Sequence, residues 1–148
     1  MTTTIATIGY EDATVQRFLD TLRTEGVELL VDVRAVAGSL RPGFAKTKLA
    51  ANVREIGIGY VHLRGLGTPA EGRAAARAGH HDEMRRVFLA HLKTSHAQAE
   101  LHSLAELVRE GRRVCLLCLE ADPAHCHRTL VAEAVNQLVP VTVNHLRP

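Results

Sequence analysis

The sequence predicts an α/β protein in which helices cover both faces of a mostly parallel sheet of about five strands. Apolar stretches of strand length alternate along the chain with stretches whose apolar residues recur at helical spacing. The strand-like stretches 27–34 and 114–119 have continuous apolar centres, as expected of strands covered on both faces. Because helices separate the strands, each connection is a crossover and neighbouring strands are expected to run parallel. The expected architecture therefore has three layers, α/β/α.

The size and composition of the chain fit one globular domain, residues 1–148. A length of 148 residues is that of a single domain, and a hydrophobic content of 46% is enough to build its core. The formal net charge of +2 is too small for a dedicated DNA-binding domain. Aromatic residues make up only 3% of the chain, which argues against a surface that stacks nucleic-acid bases.

The N-terminus and the cysteine content indicate a cytoplasmic protein. The first residues carry no charged segment followed by a long apolar one, so they do not resemble a secretion signal. No apolar run approaches the roughly 20 residues of a membrane span, and we expect no membrane partner. The three cysteines, an odd number, are expected to stay reduced.

The first half of the chain alternates strand and helix. The apolar residues from Val15 to Leu22 follow the spacing of a helix, and Asp12 can cap its start. Glycines mark the helix ends, Gly26 for this helix and Gly57 for the next. In chain order we expect a strand at 5–9, a first helix, a strand at 27–34, a loop at 35–45, a helix around 49–56 and a strand at 58–63.

The second half begins with the stretch that looks least ordered, 65–79, which is rich in Gly, Ala and Arg and contains Pro69. We expect a long connection there, which is a lid, a binding loop or simply a mobile segment. Two helices follow, because apolar residues recur at helical spacing in 82–93 and again from Leu101 to Val108. The remaining elements are expected to be a strand at 114–119, a helix at about 124–138 and a short strand at 141–145.

Polar residues, and with them Gly9, lie at the carboxyl ends of the predicted strands. The carboxyl ends of parallel strands meet at one edge of a sheet, and ligands of such sheets bind there. We therefore expect these residues to converge on one site. In strand order they are Thr7, Gly9 and Tyr10, then Asp32 and Arg34, then His62, then Cys118 and Glu120, and finally His145.

A stretch without acidic residues, 33–54, adds a concentration of positive charge. A local cationic patch favours an anionic partner. A solvated loop and helix face is the alternative interpretation. The cations of this stretch are Arg34, Arg41, Lys46, Lys48 and Arg54.

The segment 118–128 is the richest in reactive side chains. A strand ends there, a short loop follows, and Cys126, His127 and Arg128 stand in a row where the next helix is expected to begin. The first turn of a helix stabilises a thiolate and binds anions through its free N–H groups. We therefore take Cys126 as the candidate nucleophile or oxyanion partner. A cysteine that only packs under the loop at the helix cap is the alternative.

Several motifs along the chain together resemble one known family. They are Thr-Ile-Gly-Tyr at 7–10, Asp-Val-Arg at 32–34, Gly-Ile-Gly-Tyr-Val-His at 57–62, Leu-Gly at 66–67 and Leu-Cys-Leu-Glu-Ala-Asp-Pro-Ala-His-Cys-His-Arg at 117–128. In this order they resemble the bacterial and archaeal family called domain of unknown function 488. The resemblance spans nearly the whole chain and implies a compact α/β fold in a prokaryotic protein. It implies no reaction.

The site residues are assigned by their chemical type. Arginine pairs well with phosphate and carboxylate, so Arg34 and Arg128 are the candidate anion-binding residues. The other candidate binding residues are Thr7, Gly9, Tyr10 and Asp32. Besides Cys126, the candidate catalytic residues are Glu120, His62 and His127, which can transfer protons. Asp32 and Glu120 are alternatively structural partners of the two arginines, since a buried carboxylate needs a cation.

Cys115-x-x-Cys118 resembles half of a zinc motif, but its position in a strand argues against zinc. Successive side chains of a strand point to opposite faces, so Cys115 is expected to face the core with Leu117. Cys118 shares the other face with Glu120. A metal could use Cys118, Cys126 and a histidine, but not Cys115 as well. We predict neither a metal nor a cofactor, and a Cys118–Cys126 redox pair stays an alternative.

These observations favour an enzyme that binds a phosphorylated or other anionic substrate, such as a nucleotide or nucleic acid, at the carboxyl ends of the strands. One alternative is a non-catalytic nucleic-acid-binding or regulatory module that uses 33–54 and the Arg-rich segment 64–86. Another is a metal-dependent enzyme that uses Cys118, Cys126 and a histidine. The oligomeric state stays open, and a homodimer is compatible with the sequence.

Overall fold

One parallel sheet of five strands forms the middle layer of the computed structural model, which describes residues 3–148. The strands are β1 (Thr3–Gly9), β2 (Leu29–Asp32), β3 (Gly59–His62), β4 (Val114–Cys118) and β5 (Val141–Leu146). Their order across the sheet is β3-β2-β4-β1-β5, and every pairing is parallel. The predicted α/β class with a parallel sheet of about five strands is confirmed.

Within residues 3–148, six α-helices surround this sheet. They are α1 (Val15–Thr24), α2 (Lys46–Glu55), α3 (Ala70–Arg77), α4 (His81–Leu92), α5 (Ser95–Arg109) and α6 (His127–Leu138). Short 3₁₀ turns at Arg64–Leu66 and Pro123–His125 precede α3 and α6. In the described part of the chain, every helix is too short or too polar to cross a membrane.

Right-handed crossovers explain which helices share a face of the sheet. From β1 through β2 to β3 the chain moves towards one edge, and from β3 through β4 to β5 it moves back towards the other. A right-handed connection places its helix on one face for the first direction and on the opposite face for the second. Accordingly, α1 and α2 pack on one face through Phe18 and Leu49, and α4 and α5 pack on the other through Phe88 and Leu104.

The alternation of side chains along β4 separates the cysteines as predicted. Cys115 lies with Leu117 in the core beneath α1 and α2. Cys118 lies in the opposite core, with Leu116 and Cys126. The sheet therefore stands between Cys115 and the other two thiols.

The end of β4 is the point at which the connections diverge. β4 lies between β1 and β2, whose chains continue into α1 and α2 on one face, whereas the chain after β4 continues into α6 on the opposite face. Such a divergence leaves a crevice outside the carboxyl ends of the strands, where α/β proteins bind ligands. The fold therefore places the segment from Glu120 to Cys126 beside that crevice.

Two helix starts differ from the prediction. Thr14, not Asp12, caps α1, because its hydroxyl accepts a hydrogen bond from the N–H of Arg17 at 3.2 Å. The helix predicted at about 124–138 is divided at Cys126, whose backbone is extended (φ −126°, ψ 139°) between the 3₁₀ turn and α6. Cys126 is consequently the N-cap residue of α6. The sequence predicts either this cap position or the first turn of the helix for Cys126.

The stretch 65–79, predicted to be a long connection, is mostly helical. α3 occupies Ala70–Arg77, and Gly79 follows it with φ 80°. Alanine has the highest helix propensity, so the alanine-rich composition favours a helix once the chain has turned at Pro69. The prediction was wrong because it took glycine and proline residues that flank a helix as signs of an unstructured stretch.

Gly9 ends β1 directly beneath the loop that follows β4. A Cβ atom at this position would lie 1.8 Å from the carbonyl oxygen of Glu120 and 3.0 Å from Nη1 of Arg128. The two main-chain segments can approach this closely only because glycine has no side chain. The position of the loop over the sheet edge therefore depends on Gly9.

Replacing Gly9 with Ala should destabilise the protein by about 1–3 kcal/mol, because the new methyl group overlaps a main-chain carbonyl. Urea unfolding measures this change. The matched control is Gly38→Ala, since a Cβ atom there meets nothing closer than 3.9 Å. Equal stability of G9A and G38A would contradict the close approach of β1 and the loop.

Candidate functional site

A cavity of about 250 Å³ opens at the carboxyl edge of the sheet, beside the end of β4. Its walls come from the ends of β1 and β4, the loop after β2, and the region from Thr68 to Met84 that contains α3. The polar residues that line it include Tyr10, Arg34, Arg73, Arg77, Cys118, Glu120 and His127. The crevice expected from the topology is therefore a pocket surrounded by thiol, carboxyl, imidazole and guanidinium groups.

Two thiols and an imidazole meet at this cavity, and we call Cys118, Cys126 and His127 the Cys–Cys–His cluster. Cys118 ends β4, Cys126 caps α6 and His127 is the first residue of α6. The two Sγ atoms and a ring nitrogen of His127 lie within 4.8 Å of one another. All three side chains are buried, with exposed fractions of 7% or less. Cys118 and His127 border the cavity, whereas Cys126 does not.

The orientation of His127 is fixed by the far side of its ring. Nε2 lies 2.7 Å from the carbonyl oxygen of Val33, just after β2. A carbonyl oxygen only accepts hydrogen bonds, so Nε2 carries a proton and donates it. Nδ1 consequently faces the sulfur atoms and lies 3.5 Å from Sγ of Cys118. It offers a lone pair there when the ring is neutral and a proton when the ring is charged.

The members of the Cys–Cys–His cluster shift one another's pKa values. Burial acts to raise the pKa of the Cys126 thiol, but hydrogen bonds from Cys118 and His127 outweigh it, so the pKa is lowered. The positive charges of His127 and Arg128 act in the same direction. A hydrogen bond to Cys126, together with burial, raises the pKa of Cys118. Burial acts to lower the pKa of His127, but the hydrogen bond and charge of Cys126 raise it.

Glu120 supplies a carboxyl group beside the cluster and lines the cavity. Burial and the nearby charge of Cys126 raise its pKa to about 7. Its Oε2 atom is buried and has no hydrogen-bond partner within residues 3–148. A carboxyl group in this state can exchange a proton near neutral pH, as a general acid or base requires. The structure therefore brings together three of the four predicted catalytic residues: Glu120, Cys126 and His127.

The fourth, His62, lies apart from this group. Its Nε2 atom is 2.6 Å from the carbonyl oxygen of Arg34, and its side chain does not line the cavity. Thr7 is also separate, because it is buried in β1 and its hydroxyl is hydrogen-bonded to Nδ1 of His145 on β5 at 2.6 Å. These two contacts connect neighbouring segments along the sheet edge.

Arg34 is held in a buried ion pair at the end of β2. Its Nη2 and Nε atoms donate to the two carboxylate oxygens of Asp32 at 2.7 and 2.9 Å. Asp32 also accepts a hydrogen bond from the hydroxyl of Tyr60. Nη1 of Arg34 donates to the carbonyl of Phe44 at 2.8 Å and to the hydroxyl of Tyr10 at 3.2 Å. Arg34 therefore reaches the cavity with most of its donors engaged, which agrees with the structural alternative for Asp32.

Arg128 is fully buried beneath the loop after β4. Its Nη1 atom donates to the carbonyl oxygen of Glu120 at 2.5 Å, and Nη2 lies 3.5 Å from that of Ala121. It does not line the cavity that Arg34 borders. The two arginines expected to share an anion are thus not brought to one pocket, and Arg128 positions the loop that carries Glu120.

Two cationic residues of the cavity, Arg73 and Arg77, were expected only as part of the Arg-rich segment 64–86 and not as residues of this site. Both belong to α3, where Nη1 of Arg73 donates to the carbonyl of Thr68 at 2.9 Å and Arg77 is exposed. Neither forms an ion pair with a carboxylate among residues 3–148. Residues four apart share one face of a helix, so this spacing would have indicated a cationic face if 70–77 had been recognised as helical.

Fold and site together define a three-layer α/β protein whose cavity, at the carboxyl edge of a parallel sheet, borders a buried Cys–Cys–His cluster. The chain belongs to the family described as Domain of unknown function DUF488, whose sequence profile matches residues 14–135. That match runs from the start of α1 almost to the end of α6 and includes the whole Cys–Cys–His cluster. It confirms the resemblance found in the sequence motifs. No curated protein and no solved structure matches the chain.

Replacing Asp32 with Ala should lower the free energy of unfolding by about 3–5 kcal/mol, because it leaves the buried guanidinium of Arg34 without its counter-ion. Urea unfolding measures the loss. Adding Arg34→Met to Asp32→Ala should restore part of it, since no unpaired charge then stays buried.

The matched control removes an exposed carboxylate from a similar pair. Glu83→Ala breaks the contact with Arg86 on the surface of α4 and should cost less than about 1 kcal/mol. Similar losses for D32A and E83A would contradict a structural role for the Asp32–Arg34 pair.

Proposed function

We propose that this chain is an enzyme whose substrate carries a phosphate or another compact anionic group and binds in the cavity. The observation that carries the proposal is the meeting of two kinds of group around one pocket. Arg73 and Arg77 supply positive charge from α3, and Cys118, Glu120 and His127 supply reactive groups from the other side. Binding alone would need only the first kind.

The arginines support an anionic substrate. The planar fork of a guanidinium matches the oxygens of phosphate and carboxylate. Arg77 is exposed at the cavity, and Arg73 uses Nη1 on the carbonyl of Thr68, which leaves the rest of its fork to face a ligand. The volume of about 250 Å³ is near the lower end of ligand pockets, roughly 300–1,000 Å³, and fits a small molecule better than a polymer.

The Cys–Cys–His cluster and Glu120 support catalysis. Thiols, imidazoles and carboxyl groups transfer protons or activate a reacting atom when they lie next to a bound substrate. In this proposal Glu120 exchanges a proton with the substrate, and the cluster activates the reacting atom. Arg128 and Gly9 contribute by holding the loop of Glu120 in place, without contact with the substrate.

A nucleic-acid-binding module is the second candidate, and the exposed cations of α2, Lys46, Lys48 and Arg54, favour it. Arg41 of the same basic stretch, however, donates to the carbonyl oxygen of Ala13 at 2.6 Å and so has a structural partner. The buried residues of α2 and α3 also belong to the cores on opposite faces of the sheet. Because Lys46, Lys48 and Arg54 do not line the cavity, the cavity supports a small anionic ligand better than a nucleic acid.

A saturating anion should raise the melting temperature of the wild-type protein. At about 100 times its dissociation constant, a ligand adds about 2.7 kcal/mol of stability, or roughly 5–11 °C for a domain of this size. Replacing both Arg73 and Arg77 with Ala should abolish this shift, because the cationic wall is lost. Thermal unfolding with inorganic phosphate, pyrophosphate and nucleoside mono- and diphosphates measures it.

The matched control is the double variant Arg85→Ala, Arg86→Ala, which removes two charges from α4 outside the cavity. It should keep the full shift. The proposal fails if no anion stabilises the wild type, or if both double variants lose the shift equally. Oligonucleotide binding that weakens steeply with salt and survives the loss of Arg73 and Arg77 would favour the second candidate.

A further inference from the structure

We propose that the Cys–Cys–His cluster is a zinc site with three protein ligands and a fourth position that opens to the cavity. The ligands are Sγ of Cys118, Sγ of Cys126 and Nδ1 of His127. Thiolate and imidazole are the donors that Zn²⁺ prefers in proteins. Zinc binding does not depend on the proposed function. A role of the open coordination position in catalysis rests on that function.

The spacing of the donors fits tetrahedral coordination. Zinc binds sulfur at about 2.3 Å and nitrogen at about 2.0–2.1 Å. A sulfur ligand and a nitrogen ligand of one tetrahedral ion are therefore roughly 3.5–3.6 Å apart. Sγ of Cys118 and Nδ1 of His127 are 3.5 Å apart. Sγ of Cys126 lies within 4.8 Å of both, so an ion needs only a small approach of this sulfur.

The surroundings of His127 already have the form that a metal ligand needs. A zinc-bound imidazole usually donates its other N–H group to a carbonyl or carboxylate, which fixes the tautomer and the ring orientation. Nε2 of His127 makes this bond to the carbonyl of Val33 at 2.7 Å. The lone pair of Nδ1 is thereby directed at the two sulfur atoms, and the fold supplies the supporting contact before any metal arrives.

The cavity supplies the open position. Cys118 and His127 line it, and so does Glu120, whose buried Oε2 atom has no partner within residues 3–148. Zinc with three protein ligands keeps its fourth position for water or substrate, whereas structural zinc has four protein ligands. Glu120 borders this open position and is not one of the three ligands. The exposed guanidinium of Arg77 lies across the same cavity, where an anionic substrate would bind.

The chain provides an internal control for the two cysteine ligands. Cys115 is a third buried thiol only three residues from Cys118, but it lies in the core on the opposite face of the sheet. A nonspecific affinity of buried thiols for metal would involve Cys115 as well. A zinc site formed by the fold involves only Cys118 and Cys126, which lie in the core on the α6 side of the sheet.

Metal titration of the reduced, metal-free full-length protein tests the inference. We expect one equivalent of Zn²⁺ to bind, and one equivalent of Co²⁺ to give the strong visible bands of tetrahedral coordination with a thiolate-to-cobalt charge-transfer band. Cys118→Ser, Cys126→Ser and His127→Ala should each lose more affinity than the roughly 10–100-fold that removal of a supporting group costs. Cys115→Ala and Glu120→Gln should keep the stoichiometry and the tetrahedral spectrum.

Several outcomes would overturn the inference: no stoichiometric binding, an octahedral cobalt spectrum without charge transfer, or equal loss in C115A and C118S. Loss of the metal in E120Q would make Glu120 a ligand and remove the open position. If the ligand variants do not fold by circular dichroism, the wild-type cobalt spectrum decides alone. The thermal shift caused by phosphate is measured on metal-free protein. It therefore tests anion binding alone, and the metal titration tests zinc binding alone.

Discussion

The hydrogen bond from Nε2 of His127 to the carbonyl of Val33 is the contact on which the candidate site depends. It joins the first residue of α6 to the segment just after β2 and directs Nδ1 at the two thiols. A buried carbonyl without a donor would cost about 1–3 kcal/mol, so the imidazole orientation is tied to the packing of the sheet edge. The reactive group is thus positioned by tertiary structure rather than by its own loop.

The polar residues at the carboxyl edge of the sheet form two groups with different roles. Asp32, Tyr60 and Arg34 form a buried network whose hydrogen bonds are made within the protein. The Cys–Cys–His cluster brings two sulfur atoms and a ring nitrogen within 4.8 Å of one another. The first arrangement stabilises the loop after β2. The second leaves donor atoms for chemistry, and the cavity lies between the two.

The loop after β4 shows how this division is maintained. Gly9 lets β1 pass beneath the loop, and the buried Arg128 donates to its carbonyl groups from below. Burying this guanidinium raises the free energy of the folded state, since a charge is taken out of water, and its hydrogen bonds to main-chain oxygens offset part of that cost. The arrangement fixes Glu120 at the rim of the cavity and sets the thiol of Cys126 at the start of α6.

Much of the fold could be predicted from local pattern, because strands and helices follow from periods of two and 3.6 residues. The same reasoning placed Cys115 and Cys118 on opposite faces, since alternation needs no tertiary knowledge. The partner of His127 could not be predicted, because Val33 is 94 residues away in the sequence. Arg128 was expected at the cavity for its chemistry, but its contacts depend on how a loop folds back over it. Arg73 and Arg77 were not predicted at the cavity, because α3 was not recognised as a helix.

Nitrogen NMR of the His127 imidazole, assigned by comparison with His127→Gln, tests the central claim most directly. In the reduced, metal-free protein Nε2 should carry a proton in both charge states of the ring, because it donates to the carbonyl of Val33. The Nδ1 resonance should change when either Cys118 or Cys126 is replaced by Ser. A neutral ring with its proton on Nδ1 and a bare Nε2 would contradict the account, because the imidazole could then neither hold the sheet edge nor present a lone pair to the sulfurs.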